Sequence, residues 1–330
     1  MFSFSRDSTT AEAAPKARNL SPLSNHGWYK REEAIMGTAI SVELWSEDKS
    51  EAEAAIAVVM EEMHRIDRLM SPHKPDSELS VINRDAAAAP VSVCFEMMQL
   101  LKRAKYFSQL SDGAFDITYA AVGRLFDYRQ RIRPCEAQIQ AARLAVGYRN
   151  LILDEAEQTV SFYKPGMCID LGGFAKGHAV DNATRMLRAR GIRHANVSAG
   201  GDSRVIGDRR GRPWMIGVRD PRREEHVIAL LPLIDTSIST SGDYERYFDE
   251  DGVRFHHLID PASGKSPDTV QSVTILAEDG LTTEAFSKIV FVLGIEKGLP
   301  LIEAQQGIDA VIVDARGQLH YSSGLLSPTS

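Results

Sequence analysis

Residues 170–177 read DLGGFAKG, and this stretch restricts the fold of the 330-residue chain more than any other. A short apolar run at 167–171 enters two adjacent glycines, Gly172 and Gly173. A helical pattern follows from about 176 to 190 and is closed by Gly191. Strand, tight turn and helix must therefore succeed one another here. Glycine lacks a Cβ, so its backbone can lie against a ligand, and the free amides of a helix start favour an anion. Lys176 adds positive charge beside such an anion, and Asp170 can accept a hydrogen bond from a ribose or a flavin N–H. The same residues also describe a plain strand–turn–helix whose glycines serve only the turn. Neither a Walker A motif nor GxGxxG is present here, which removes the standard P-loop and Rossmann readings.

Around this segment, apolar residues at helical spacing mark helices over 51–70 (Ala55, Val58, Val59, Met63, Ile66, Leu69) and 93–111 (Met97, Leu100, Leu101, Ala104, Phe107). Further helices are expected at 119–127, 134–145, 281–293 and 298–305. Strands are expected at 34–45 around a glycine, and at 151–154, 159–163, 195–199, 214–218, 227–233, 236–241, 273–277, 309–314 and 319–322. Residues 71–83, with Pro72, Pro75 and Asp76, read as a loop. Strands and helices alternate irregularly. The predicted class is therefore α+β, with mixed, largely antiparallel sheets covered by helices. Residues 1–28, rich in Ser, Ala, Thr and Pro, read as a flexible tail. Residues 29–330 then form the folded unit, as one domain or two α+β subdomains.

The net charge of −7 argues against a general nucleic-acid binder, which needs a basic face. Cys94, Cys135 and Cys168 lie far apart without a CxxC pair. They are expected as buried small apolar residues rather than as a disulfide framework or zinc site. No membrane span is visible, and the N-terminal residues show neither an apolar signal core nor a lipobox-like cysteine. A cytoplasmic location is the expectation.

Three more polar segments can carry chemistry. Residues 199–202 (AGGD) form a second glycine pair at a strand end, either a close-approach loop or a tight turn. Residues 240–244 (TSGDY) place Asp243 as a base for an incoming hydroxyl or simply as a turn residue. His256 and His257 are adjacent, and neighbours on a strand point to opposite faces, so at most one faces a site.

Taken in order, MGT (36–38), DSELSVIN (76–83), DGAFDIT (112–118), DLGGFAKGHAVD (170–181), NVSAGGD (196–202), STSGDYERYF (239–248), HHLIDPASGKSP (256–267) and TTEAFSKIVFVLG (282–294) resemble one family. It is that of the FAD:protein FMN transferases, also called ApbE or flavin transferases, and the resemblance spans roughly 33–322. It implies an enzyme that cleaves the FAD pyrophosphate, attaches FMN through a phosphoester to a Thr or Ser of a target protein, and releases AMP. The resemblance places Met36, His73, Ala114, Phe115, Asp116, Asp170, Lys176 and Ile259 around FAD, although position 73 is usually Tyr in the family. It gives His257 a role in phosphate activation or proton transfer, with Asp243 as the second candidate. It also implies a magnesium ion held partly by the backbone oxygen of Gly173. The family's metal helix carries Asp and, four residues later, Thr; here those positions are Glu284 and Lys288. Either the Lys288 ammonium replaces part of the metal's charge, or the two residues form an i,i+4 pair worth about 0.2–0.5 kcal/mol if exposed. In both cases the metal site is weakened or lost. The alternative function is then a non-catalytic FAD-binding protein or an FAD pyrophosphatase.

Overall fold

Alternating burial runs along the strand Thr38–Trp45, where Ile40, Val42 and Leu44 are fully buried and their neighbours are not. That period of two turns one face of the strand to a core. In the computed structural model, which describes residues 27–223 and 225–326, this strand belongs to an eight-stranded sheet. The spatial order is Trp28–Ile35, Thr38–Trp45, Ala195–Ala199, Asp202–Ile206, Ser237–Gly242, Val270–Ala277, Asp309–Asp314 and Leu319–Tyr321. Among the described residues every strand pair is antiparallel, so the α+β expectation holds and the sheets are antiparallel throughout rather than mixed.

Strand Val270–Ala277 is buried at all positions because the sheet is covered on both faces. Val273 and Ile275 join the large core under helices Lys49–Met70, Phe95–Leu110, Ala175–Ala189 and Gly280–Glu303. Leu276 belongs to a smaller core with Ile238, Val311 and Trp214, closed by the hairpin Trp214–Arg219/Val227–Leu233. Phe107 sits in the large core as the hub of an aromatic cluster. Its ring meets Phe115, Phe174 and Phe286 edge-on at centroid distances of 6.2, 5.9 and 5.9 Å. This cluster supports the turn at Gly172–Gly173 from below, since Phe174 is the next residue.

Several expectations are corrected. The strand foreseen at 34–45 is a hairpin, Trp28–Ile35 with Thr38–Trp45. Its turn residues Met36 and Gly37 have φ of 54° and 69°, the positive values that tight two-residue hairpin turns use. The loop foreseen at 71–83 ends in a helix, Glu78–Asp85, capped by Ser77, whose hydroxyl accepts from Ser80 N at 3.0 Å. Only Leu79 and Ile82 are buried in it, too few to register as a periodic stripe. The hairpin Tyr247–Glu250/Val253–His256 and strand Asp202–Ile206 were not foreseen. The helices foreseen at 281–293 and 298–305 do succeed one another: Gly294, with φ of 68° and ψ of −176°, is non-helical and divides Gly280–Glu303 in two. The cysteines are free, but Cys94 and Cys135 are exposed at helix N-cap positions and Cys168 is half-buried, so none is a core residue. Residues 1–26 of the foreseen tail lie outside the described residues, while Trp28 is already in a strand, its ring edge-on to Trp214 at 5.4 Å. Among the described residues no helix is long and apolar enough to cross a membrane.

Candidate active site

Helices Ala175–Ala189 and Gly280–Glu303 cross where both carry glycine. Asp181 fixes the crossing. Its two carboxylate oxygens each accept from Gly280 N at 2.9 Å, and it also takes Leu281 N at 3.2 Å and Arg204 Nη1 at 2.7 Å. The start of the second helix is thereby tied to the side of the first, and Glu284, one turn further on, comes to lie beside Lys176 and Gly177.

Four charges then meet. Lys176 Nζ donates to Asp202 and, at 2.5 Å, to Glu284 Oε1. Glu284 Oε2 accepts from Gly177 N at 2.7 Å. Asp202 Oδ1 accepts from the Ser239 hydroxyl at 2.5 Å. Ser287 donates to the Glu284 carbonyl at 2.9 Å and lies 2.8 Å from Ser241 Oγ. Lys288 Nζ is 3.5 Å from Glu284 Oε1. Glu284 is fully buried and Asp202 nearly so. Burial penalises the Lys176 ammonium, but the Asp202 and Glu284 carboxylates outweigh it and hold its pKa above the ordinary lysine value. Burial would also raise Asp202; the two lysines reverse that and keep it ionised. Lys288 lacks so close a partner, and burial, with Lys176 adding repulsion, lowers its pKa.

The turn at 170–173 lies over this cluster. Asp170 Oδ1 accepts from Gly172 N at 2.6 Å, and Oδ2 is 3.4 Å from the Tyr119 hydroxyl. Burial first, then the Asp170 charge, keeps the Tyr119 phenol well above its ordinary pKa. Asn83 pins the incoming chain, accepting from Ile169 N at 2.8 Å and donating to Ile169 O at 2.9 Å. A Cβ on Gly173 would stand 3.0 Å from Lys288 Cε and 4.0 Å from its Nζ, so the lysine runs directly against this backbone.

On the other side stands His257, whose backbone N donates to Arg246 O at 3.0 Å. Its Nδ1 is buried without a hydrogen-bond partner. Burial, reinforced by the charges of Arg246, Lys288 and Lys176, pushes its pKa down to about 3, so the free imidazole is neutral. His256 faces elsewhere: its Nε2 is 2.8 Å from Pro267 O and its ring is edge-on to Phe291. Arg246 also reaches the first hairpin turn, with Nη2 3.9 Å from where a Gly37 Cβ would be. Met36 shares that turn. Gly200 and Gly201 pack on Thr38 Oγ1 and Thr240 O, a Cβ on either standing only 2.6 and 2.8 Å away.

Other foreseen residues are placed differently. Asp243 is not free to act as a base: Arg222 takes both its oxygens at 2.7 Å, with Arg254 3.6 Å away. Asp116 is a brace, its oxygens accepting from Thr118 N, Thr118 Oγ1 and Tyr148 N at 2.7–2.8 Å. Phe115 belongs to the aromatic core, and Ala114 precedes it, half-buried. Ile259 is buried, and His73 is exposed beyond the first long helix with no contact to the charged cluster. Sequence reasoning missed Tyr119, Arg246, Ser239 and Ser287 and gave Asp202 no charge partner. Both Asp202 and Arg246 lie within segments that carry the resemblance, which was the available signal.

The side chains present do not suit the magnesium ion that the resemblance implies. Magnesium requires oxygen ligands in near-octahedral array. Here both Glu284 oxygens are already hydrogen-bonded to Lys176 and Gly177, and position 288 supplies a cation. Among the described residues no group of three or more His, Cys, Asp or Glu side chains is arranged to hold a metal.

Comparison with known proteins finds matches over nearly the whole chain. The ApbE family model matches residues 36–312. An FAD:protein FMN transferase of Klebsiella pneumoniae (strain 342) is 32% identical over 305 residues, covering 91% of this chain and 94% of that protein. One of Treponema pallidum (strain Nichols) is 32% identical over 317 residues, covering 90% and 88%. The crystal structure of the ApbE protein from Thermotoga maritima superposes with a TM-score of 0.84 at 35% identity, covering 91% of this chain and 98% of the other. The flavin transferase ApbE from Vibrio cholerae gives 0.81 at 27% identity, covering 91% and 99%.

Proposed function

The chain belongs to the ApbE family, and from that premise we propose that it is an FAD:protein FMN transferase that modifies a Thr or Ser hydroxyl. In this reaction the hydroxyl oxygen attacks the phosphorus on the flavin side of the FAD pyrophosphate. The bond from that phosphorus to the bridging oxygen breaks, and AMP leaves with that oxygen. The hydroxyl proton passes to a base, and FMN remains as a phosphoester on the acceptor.

The observation that carries the reading is a neutral histidine with a bare, buried Nδ1 that feels the charges of two lysines, one of which packs against the Gly173 backbone. Phosphoryl transfer depends on positioning and charge neutralisation more than on covalent help from the protein. The lysines supply fixed positive charge, already oriented, where negative charge develops. The glycines let a phosphate approach the backbone. Asp170, half-buried at the turn, is the acceptor for a ribityl hydroxyl or flavin N–H, and Met36 flanks the cofactor from the hairpin turn. His257 is the proton acceptor. A base so placed contributes about 10²–10⁴-fold.

The test is to mix the purified chain, FAD and a peptide bearing Thr or Ser acceptors. AMP release matched by an FMN mass increment on the peptide is the expected result. Free FMN with an unmodified peptide would make the chain a hydrolase, and FAD binding without AMP would make it a carrier.

A further inference from the structure

We propose that Lys288 stands in place of a divalent ion, its ammonium contacting the FAD pyrophosphate directly, so that this chain binds and breaks FAD without magnesium. The proposal rests on FAD being the ligand of this site, as argued above. Its first support is that the oxygens are spent. Glu284 gives one oxygen to Lys176 and the other to Gly177 N, and Asp202 gives its own to Lys176 and a serine hydroxyl. A metal would have to break these bonds, in a setting where both carboxylates are already bonded to the Lys176 ammonium.

The second support is that the donors of Lys288 are unspent. An ammonium has three N–H groups. The one described partner of this nitrogen, Glu284 Oε1, is 3.5 Å away, longer than a good N–H···O bond. The side chain is 18% exposed, so water meets only part of that need. The third support is position. The Lys288 stem passes Gly173 so closely that a Cβ there would stand 3.0 Å from Cε. A Cβ at 173 would press on this stem, whose Nζ lies 4.0 Å from that point, so glycine keeps the ammonium against the turn that a phosphate would approach. Lys176, by contrast, is held between two carboxylates and serves as the fixed base of the cluster. Lys176 has both of the protein's acids as close partners, while Lys288 keeps donors for a ligand.

The experiment compares the full chain, Lys288→Met and Lys288→Gln in excess EDTA and in magnesium chloride. FAD affinity is read by flavin fluorescence, and AMP release is read with the acceptor peptide. Wild type is expected to bind FAD and turn over equally in both solutions. Each variant should lose about 10²–10³-fold in turnover, the loss typical of removing one charge-stabilising donor. Each should also bind FAD more weakly in both solutions. The double variant Glu284→Asp/Lys288→Thr should become sensitive to EDTA. Loss of wild-type FAD binding or turnover in EDTA, restored by magnesium, overturns the proposal. So does wild-type affinity in the two single variants. If no acceptor is modified under any condition, the transferase reading fails, and the affinity arm alone then decides the role of Lys288.

Discussion

A Cβ built on Gly280 would stand 2.7 Å from the carbonyl oxygen of Gly177 and 3.0 Å from its Cα, so two helices meet backbone to backbone at this pair. No side chain fits between them. Gly280→Ala should therefore force the helices apart at a cost of about 1–3 kcal/mol or more. The displacement also pulls Glu284 from Lys176, so turnover should fall with stability. Thermal unfolding and FAD titration of the variant check this. A melting temperature equal to wild type would show that the crossing is looser than described.

Lys176→Met would leave Asp202 and Glu284 buried without the cation between them. Breaking a buried pair by removing one partner costs about 3–5 kcal/mol. Adding Asp202→Asn should restore part of that, because one of the two stranded charges is gone. Chemical denaturation of the single and double variants measures the coupling. Strict additivity would mean that the three groups do not act as a unit.

The imidazole of His257, at about 3 in the free protein, is neutral from about pH 5 upward. The profile of kcat/KM should therefore show no acid limb near the ordinary histidine value of about 6.5. Bound pyrophosphate is anionic and stabilises imidazolium, which raises the pKa. The acid limb of kcat should consequently lie at higher pH than that of kcat/KM. His257→Ala should remove this limb and lower kcat by about 10²–10⁴-fold, with FAD affinity nearly retained. An acid limb of kcat/KM near 6.5 that vanishes in His257→Ala would contradict the buried, neutral state.

Arg222 and Asp243 should respond unequally to truncation. The arginine side chain is 42% exposed and can return to water when its partner is removed, whereas the carboxylate is 9% exposed. Arg222→Ala is thus the more damaging change, about 1–3 kcal/mol for a stranded buried acceptor. Asp243→Asn should cost less, and both should slow turnover far less than His257→Ala. A kcat for Asp243→Asn as low as that of His257→Ala would return the base role to the aspartate.

What could be read from residues alone follows the range of the interactions. The turn and helix at 170–190 were legible because glycine chemistry and helical periodicity are local, whereas the strand expected at 167–171 does not form: that run joins no sheet. The departure at Glu284 and Lys288 was legible through the ordered motifs. The partner of Lys176 was not, because Asp202 reaches it through sheet register: Asp202 lies opposite Ala199 on one side and Ser239 on the other. Nor was the pairing of Asp243 with Arg222, since nothing in the sequence joins the two. Short elements such as Glu78–Asp85 bury too little to announce themselves.

The bond between Lys176 and Glu284 joins positions 108 residues apart, and the Met36 turn lies far earlier still. Contacts of such long range form late, because the chain must first lose the entropy of closing large loops. A nascent chain that has emerged only through the glycine turn carries Lys176 with no acid to hold it and no His257 or Lys288 at all. Catalytic competence therefore waits until the last third of the chain has been made and has folded back onto the first.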